Sequence, residues 1–317
     1  MRLFRNAELS VASEARSCAL QSTLPMSATE RTRSFPVLDY DLAATLNSGQ
    51  AFRWQRHGDG WIGVIGSRWV RLHTGPSSVH AETTAPVPDW GWLTNYLQLH
   101  LNLEEVLRTF PDEEPIQAAV VSCRGLRLLR QDPWECLASF ILSSTKQITQ
   151  IRQIISLLCE RYGEAIAVPP AQAPECAFPS AARLASASEA ELRACKMGFR
   201  APFLLATARR IADGQCDLSR LQTLPLEAAR AELMRLPGVG RKIADCVLLF
   251  AYGYPHAFPV DVWVAKALQQ LYFPRRRVGL SRLQQFANVH FGPIAGYAQQ
   301  YLFHYTRLFR SRQICPR

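Results

Sequence analysis

The sequence predicts an α+β protein: a smaller antiparallel-sheet-plus-helix domain over residues 34–125, followed by a mostly helical domain over residues 126–317. Three observations carry this. Apolar residues alternate with period two around a glycine turn in the first third of the chain. A strong helix start stands at Asp132. From there almost to the end the apolar spacing is helical and is divided by prolines.

Residues 1–33 hold several arginines and serines but no apolar signal-peptide stretch, and they carry Glu8, Glu14 and Glu30, so they are expected to form a disordered leader in which Met26 is an alternative start. Next, Trp61-Ile62-Gly63-Val64-Ile65, Gly66-Ser67 and Arg68-Trp69-Val70-Arg71-Leu72-His73 read as strand, two-residue turn and strand. Helix is expected over residues 90–97 and 103–110. In Asp132-Pro133-Trp134-Glu135 an aspartate cap precedes a proline in the first turn and a glutamate three residues on. One long helix is predicted from there, burying Cys136, Leu137, Phe140 and Ile141 and then Ile151, Ile154, Ile155 and Leu158. Prolines from Pro169 to Pro293 split the remainder into about seven segments, with a helical hairpin at about 226–253.

With 36 Lys and Arg against 26 Asp and Glu, the net charge of +10 favours a polyanionic partner, because basic side chains that neutralise phosphates release condensed counterions. No run approaches the roughly 20 apolar residues that span a bilayer, which sets nucleic acid above a membrane. The nine cysteines contain no Cys-x-x-Cys pair, unlike a secreted disulfide framework or a zinc site. The expected setting is a reducing, intracellular compartment.

The most informative stretch is Leu236-Pro237-Gly238-Val239-Gly240-Arg241-Lys242-Ile243-Ala244-Asp245-Cys246. Gly238, Val239 and Gly240 make a tight turn between two helices, and the amides at such a helix start attract phosphate. Lys242 falls in the first turn of the second helix, where the helix dipole and partial burial favour a neutral, nucleophilic amine. Further on, Phe258-Pro259-Val260-Asp261 ends in a carboxylate. Taken singly, these features are a plain helix connection, a lysine on a backbone phosphate and a helix cap. Taken together, a nucleophile and a fixed negative charge are what breaking a glycosidic bond requires.

Leu-Pro-Gly-Val-Gly, the lysine, Ala-Asp-Cys and Pro-Val-Asp resemble the helix-hairpin-helix (HhH-GPD) DNA glycosylase superfamily, and within it the 8-oxoguanine DNA glycosylases. The resemblance runs from about Leu38 to Arg310 through Leu46-Asn47-Ser48-Gly49-Gln50-Ala51-Phe52-Arg53-Trp54, Gln131-Asp132-Pro133, Gly198-Phe199-Arg200-Ala201, Gly296-Tyr297-Ala298-Gln299 and Leu302-Phe303. It implies a base sandwiched between Phe303 and Cys246, Gln299 on its Watson–Crick edge, and the Gly49 carbonyl accepting the imidazole proton that guanine lacks. Without the resemblance, Phe303 and Cys246 would read as ordinary core. It further implies Phe199 as a wedge between bases, Arg200 on the opposite base, and Thr145 and Lys146 in the run that fills the vacated stack.

Three departures stand out. The asparagine run of the family is Ser143-Ser144-Thr145-Lys146-Gln147 here, and the arginine after it is Gln150. The tyrosine wedge is Phe199. The histidine after the aspartate is Trp263. Thr145 and Gln150 stand at two positions whose polar side chains read the opposite base in the family, while Arg200 remains, so the loss of one or two contacts and a weakened preference for cytosine are expected. The implied activity is excision of 8-oxoguanine from damaged double-stranded DNA by a monomer, through lysine attack, a Schiff base and strand cleavage. No cofactor and no metal ligand set are implied, since only Cys315 lies beyond Cys246. The alternatives are a glycosylase for other oxidised or alkylated bases and a catalytically silent DNA-binding protein.

Overall fold

The strands at Gly66-Ser67 form the centre of an antiparallel sheet of five: β1 (Glu30–Pro36), β2 (Gln55–His57), β3 (Gly60–Ile65), β4 (Arg68–Gly75) and β5 (Ser78–Val87), ordered β1-β5-β4-β3-β2. The computed structural model describes residues 30–144 and 147–314, the side chains of 309–314 excepted. Ile65 faces Arg68 across the turn, and Gly66 supplies its positive φ of 59°. Val70, Leu72, Val79 and Ala81 bury one sheet face against α1 (Leu42–Asn47) and α2 (Gly91–Leu97). Gly63 admits the Trp54 indole, which a Cβ there would meet at 2.6 Å, and Trp54 Nε1 donates to Tyr96 Oη at 2.9 Å.

The first strand begins at Glu30, ahead of the expected boundary at residue 34. Thr32 and Arg33 pair with Glu82 and Ala81, because β5 would otherwise present an unpaired backbone edge. Residues 1–29, including Met26, lie outside the described residues.

A larger core gathers α3 (Leu103–Leu107), α4 (Glu114–Ser122), α5 (Pro133–Ser143), α6 (Ile148–Tyr162), α7 (Ala181–Ala185), α8 (Glu189–Leu192), α9 (Ala201–Ala212), α10 (Leu226–Met234), α11 (Arg241–Val247), α12 (Val262–Tyr272), α13 (Leu280–His290) and α14 (Ala295–Ile314). A boundary at 125/126 does not separate the two cores in space. Leu103, Val106, Ile116 and Ala119 are buried with the helical core, since α4 packs on α14.

The single long helix expected from Pro133 is two. Asp132 caps α5 by accepting from Glu135 N at 2.8 Å, but Ser144 is extended (ψ 127°) and Gln147 starts α6 in a capping box with Gln150. Hydroxyl side chains compete with the helix for backbone partners, as Ser143 Oγ does by donating to Phe140 O at 2.8 Å. The break turns Ser143 and Gln147 towards the cavity described below.

The hairpin helices α10 and α11 are clamped by an ion pair in which Arg230 Nε donates to Asp245 Oδ1 at 2.6 Å, with side chains 4% and 0% exposed. Arg230→Met, which leaves the buried Asp245 carboxylate with the longer 3.7 Å pair to Arg241, is expected to cost about 3–5 kcal/mol in denaturant unfolding, most of it recovered by adding Asp245→Leu. A single variant within about 1 kcal/mol of wild type would remove the clamp from this account.

Candidate active site

The turn before α11 needs its first glycine twice over. Gly238 has φ +76°, and a Cβ on it would meet Phe203 Cβ at 2.7 Å. Gly240 is the extended N-cap of α11 (φ −92°, ψ 176°). The expectation of a free amide at each of the three turn positions needs correction at Val239. Its side chain is buried and its N–H donates to Leu236 O at 3.1 Å, closing the turn. A phosphate would therefore be met by the Gly238 and Gly240 amides.

Lys242 follows in the first turn. Its Nζ donates to Ser143 Oγ at 3.4 Å and lies 5.1 Å from the centre of the Phe140 ring, so the broken end of α5 and an aromatic face hold the amine. Asp261 caps α12, its Oδ1 accepting from Trp263 N at 2.9 Å and Val264 N at 2.8 Å. Burial pushes its carboxyl up from the ordinary 3.8. Those two amides and the positive charges of Lys242 and Arg307 oppose the shift. The cap of α12 and the carboxylate that shares the cavity with Lys242 are thus one group.

One turn beyond Lys242, burial pushes the Cys246 thiol up to about 12 against the pull of the Lys242 charge, so near neutral pH it presents a polarizable, uncharged sulfur. Phe303 stands half-buried on α14. One turn before it, Gln299 is 4% exposed, and its Oε1 has no hydrogen-bond partner among the described residues. A buried acceptor left unmatched in a cavity wall is an opening for a donor on an occupant. Gly49, with φ +86°, faces the same space: a Cβ there would stand 3.0 Å from Arg307 Nη1, 3.1 Å from Ile148 Cδ1 and 3.4 Å from Phe303.

The Gly49 loop is fixed from behind by Gln50. Its amide nitrogen donates to Thr45 O (2.9 Å) and Arg127 O (2.8 Å), and its Oε1 accepts from Leu129 N (2.8 Å). From α14, Gln300 Nε2 donates to Ser48 O at 3.3 Å.

Lys242, Asp261, Gly49, Cys246, Gln299 and Phe303 all line one cavity of about 350 Å³. Phe140, Ser143, Gln147, Ile148, Trp263 and Arg307 complete much of its wall. A wider groove of about 760 Å³ shares Lys242, Asp261 and Trp263 and continues past Lys266 and Arg277, giving a basic approach to the cavity. The indole of Trp263 there lies 5.8 Å from Lys266 Nζ.

Phe199 and Arg200 do not join the cavity. Phe199 is 53% exposed with the Arg200 guanidinium 4.6 Å from its ring, and Arg200 also lies 6.0 Å from Phe203, the residue packed against Gly238. They extend the hairpin face instead. Thr145 and Lys146 lie outside the described residues, and Gln150 is engaged at the start of α6, where its Oε1 accepts from Gln147 N at 3.1 Å. Sequence reasoning missed Arg307 in the cavity wall and the bond from Lys242 to Ser143. Arg307 carried a usable signal, since it follows Phe303 by one helical turn.

Two family models cover most of the chain: the 8-oxoguanine DNA glycosylase N-terminal domain over residues 34–137 and the HhH-GPD superfamily base excision DNA repair protein over residues 138–287. A probable N-glycosylase/DNA lyase of Methanothermobacter thermautotrophicus is 30% identical over 309 residues, covering 86% of this chain and 95% of the relative. The structure of MBOgg1 in complex with a low-affinity DNA ligand superposes with a TM-score of 0.85 at 30% identity, over 89% of this chain and 97% of that one. The 8-oxoguanine glycosylase/lyase of Clostridium acetobutylicum, in complex with double-stranded DNA containing cytosine opposite 8-oxoguanine, superposes with a TM-score of 0.83 at 29% identity, over 89% and 99%. With its sheet domain, its hairpin and the cavity between Lys242 and Phe303, the chain belongs to the 8-oxoguanine DNA glycosylase family of the HhH-GPD base excision repair superfamily.

Proposed function

We propose that this chain excises 8-oxoguanine from duplex DNA and then cleaves the strand through a lysine-linked intermediate. The observation that carries the reading is the convergence of Lys242, Asp261, Gly49, Cys246, Gln299 and Phe303, from separate stretches of sequence, on one cavity. The base must leave the stack to enter it, because its sugar carbon is out of reach inside a duplex. Phe303 and the Cys246 sulfur then hold the two base faces, Gln299 meets the Watson–Crick edge, and the Gly49 carbonyl accepts the N7 proton. Guanine, lacking that proton, would leave the acceptor unpaired.

The Lys242 amine attacks C1′, the bond from C1′ to the base nitrogen breaks, and the Asp261 carboxylate stabilises the positive charge that grows on the sugar. Opening of the sugar passes a proton from the lysine nitrogen to the ring oxygen and leaves an imine between Lys242 and C1′, and loss of a C2′ proton from that imine then expels the 3′ phosphate. The Gly238 and Gly240 amides anchor the backbone, Phe199 wedges between bases, and Arg200 faces the widowed base; the resemblance alone assigns Thr145 and Lys146 to DNA contact. The protein acts as a monomer.

The test is single-turnover cleavage of duplexes bearing one 8-oxoguanine, one thymine glycol or one alkylated purine. Excision of 8-oxoguanine is expected to exceed the other two by tenfold or more, the scale of one or two base-edge contacts at roughly 1–3 kcal/mol each. Faster release of thymine glycol or of the alkylated base would reassign the substrate.

A further inference from the structure

We infer that Arg307 is a specificity-determining residue that reads the lesion itself, donating hydrogen bonds to a carbonyl oxygen on the purine edge that lies against Gly49. The inference rests on the assignment of the cavity as the lesion pocket.

Arg307 is on α14, one turn beyond Phe303, and its guanidinium carbon is 5.4 Å from the centre of the Phe303 ring. Its Nη1 is the atom that a Cβ on Gly49 would approach most closely. A base stacked on Phe303 with one edge towards the Gly49 carbonyl therefore meets the Arg307 fork beside that carbonyl. An arginine offers planar donors and no acceptor, so the group it suits is an oxygen.

The charge balance of the wall points the same way. Lys242 and Arg307 line the cavity with Asp261 as the acidic side chain among its described residues. Arg152 stands near enough for its charge to oppose that of Arg307, and is itself turned to Asn47, donating from Nη2 to Oδ1 at 3.1 Å.

8-Oxoguanine presents the carbonyl oxygens O6 and O8 on either side of the N7 proton. The Gly49 carbonyl and the Arg307 donors make a complementary acceptor and donor for that edge. An alkylated adenine places an amine and a delocalised positive charge there instead, setting donor against donor and cation against cation. Arg307 thereby admits oxidised purines and rejects cationic ones.

Arg307→Met keeps length and removes the donors, and Arg307→Lys keeps charge and removes the fork. For each, two single-turnover rates are compared: excision of 8-oxoguanine opposite cytosine, and cleavage at a preformed abasic site, which offers no base to read. The ratio of excision to abasic-site cleavage is expected to fall by about ten- to a hundredfold in Arg307→Met, the scale of a hydrogen bond from a charged donor, and by less in Arg307→Lys. An unchanged ratio in both variants, whether the two rates fall together or neither falls, overturns the inference and makes Arg307 a backbone contact or a packing residue. A wild type that cleaves abasic sites but leaves 8-oxoguanine in place overturns the substrate reading and this inference with it.

Discussion

Lys242→Gln is expected to leave no borohydride-trapped complex on a lesion duplex and to lower single-turnover excision on the order of a thousandfold or more, as removal of a covalent nucleophile does. Glutamine approximates the length of the side chain and can still donate to Ser143 Oγ, which receives Lys242 Nζ at 3.4 Å, so the cavity keeps its shape. What it lacks is an amine lone pair able to bond to C1′. The hairpin turn before it is closed by backbone contacts and by the pair of Arg230 and Asp245, neither of which involves the lysine side chain, so duplex affinity is expected to stay within a fewfold of wild type. Equal trapping by wild type and variant would show that another amine forms the covalent bond.

Asp261→Asn separates the observed helix cap from the proposed electrostatic role. An asparagine oxygen can accept from Trp263 N and Val264 N as the carboxylate does, so α12 keeps its cap and the variant should unfold near the wild-type midpoint. The negative charge beside the reacting sugar is gone, and excision is expected to fall on the order of 10²–10³-fold, the range seen when a preorganised electrostatic partner of a transition state is removed. The pH profile supplies a second check. Activity requires the ionised form, and burial raises the Asp261 carboxyl above 3.8, so excision by the wild type should be lost with falling pH at a value higher than an ordinary aspartate would set. That acid limb should vanish from the residual activity of the variant. An unchanged excision rate in Asp261→Asn, or an acid limb that persists, would take Asp261 out of the chemistry and leave it a cap.

The features legible in the sequence are those set by near neighbours along the chain. A two-residue turn pairs Ile65 with Arg68, and the side-chain oxygens of Asp132 and Asp261 reach amides two or three residues ahead. The turn at Gly238, Val239 and Gly240 also depends on residues a few positions apart, which is why the hairpin and its lysine could be placed before any tertiary contact was known. The break between α5 and α6 was masked by one apolar periodicity running through both. The hydroxyl-rich run at Ser143 ends the first helix, and the pair of Gln147 and Gln150 starts the second in a new direction.

By itself, then, the sequence determined the α+β class, the local starts and turns, and the lysine and aspartate that the fold brings to one cavity. Only the tertiary structure decided which buried side chains are core and which are cavity. Cys246 and Phe303 have the polarity of core residues, and what makes them pocket is the space between α11 and α14, bounded by a loop near Gly49 from the far end of the chain. The same holds for Arg307, whose position beside Gly49 joins residues more than 250 apart in sequence, and for residues 30–33, which become strand because β5 offers them an edge. Periodicity reports which face of an element is apolar. It carries no term for what that face meets across the fold, and here that meeting builds the site.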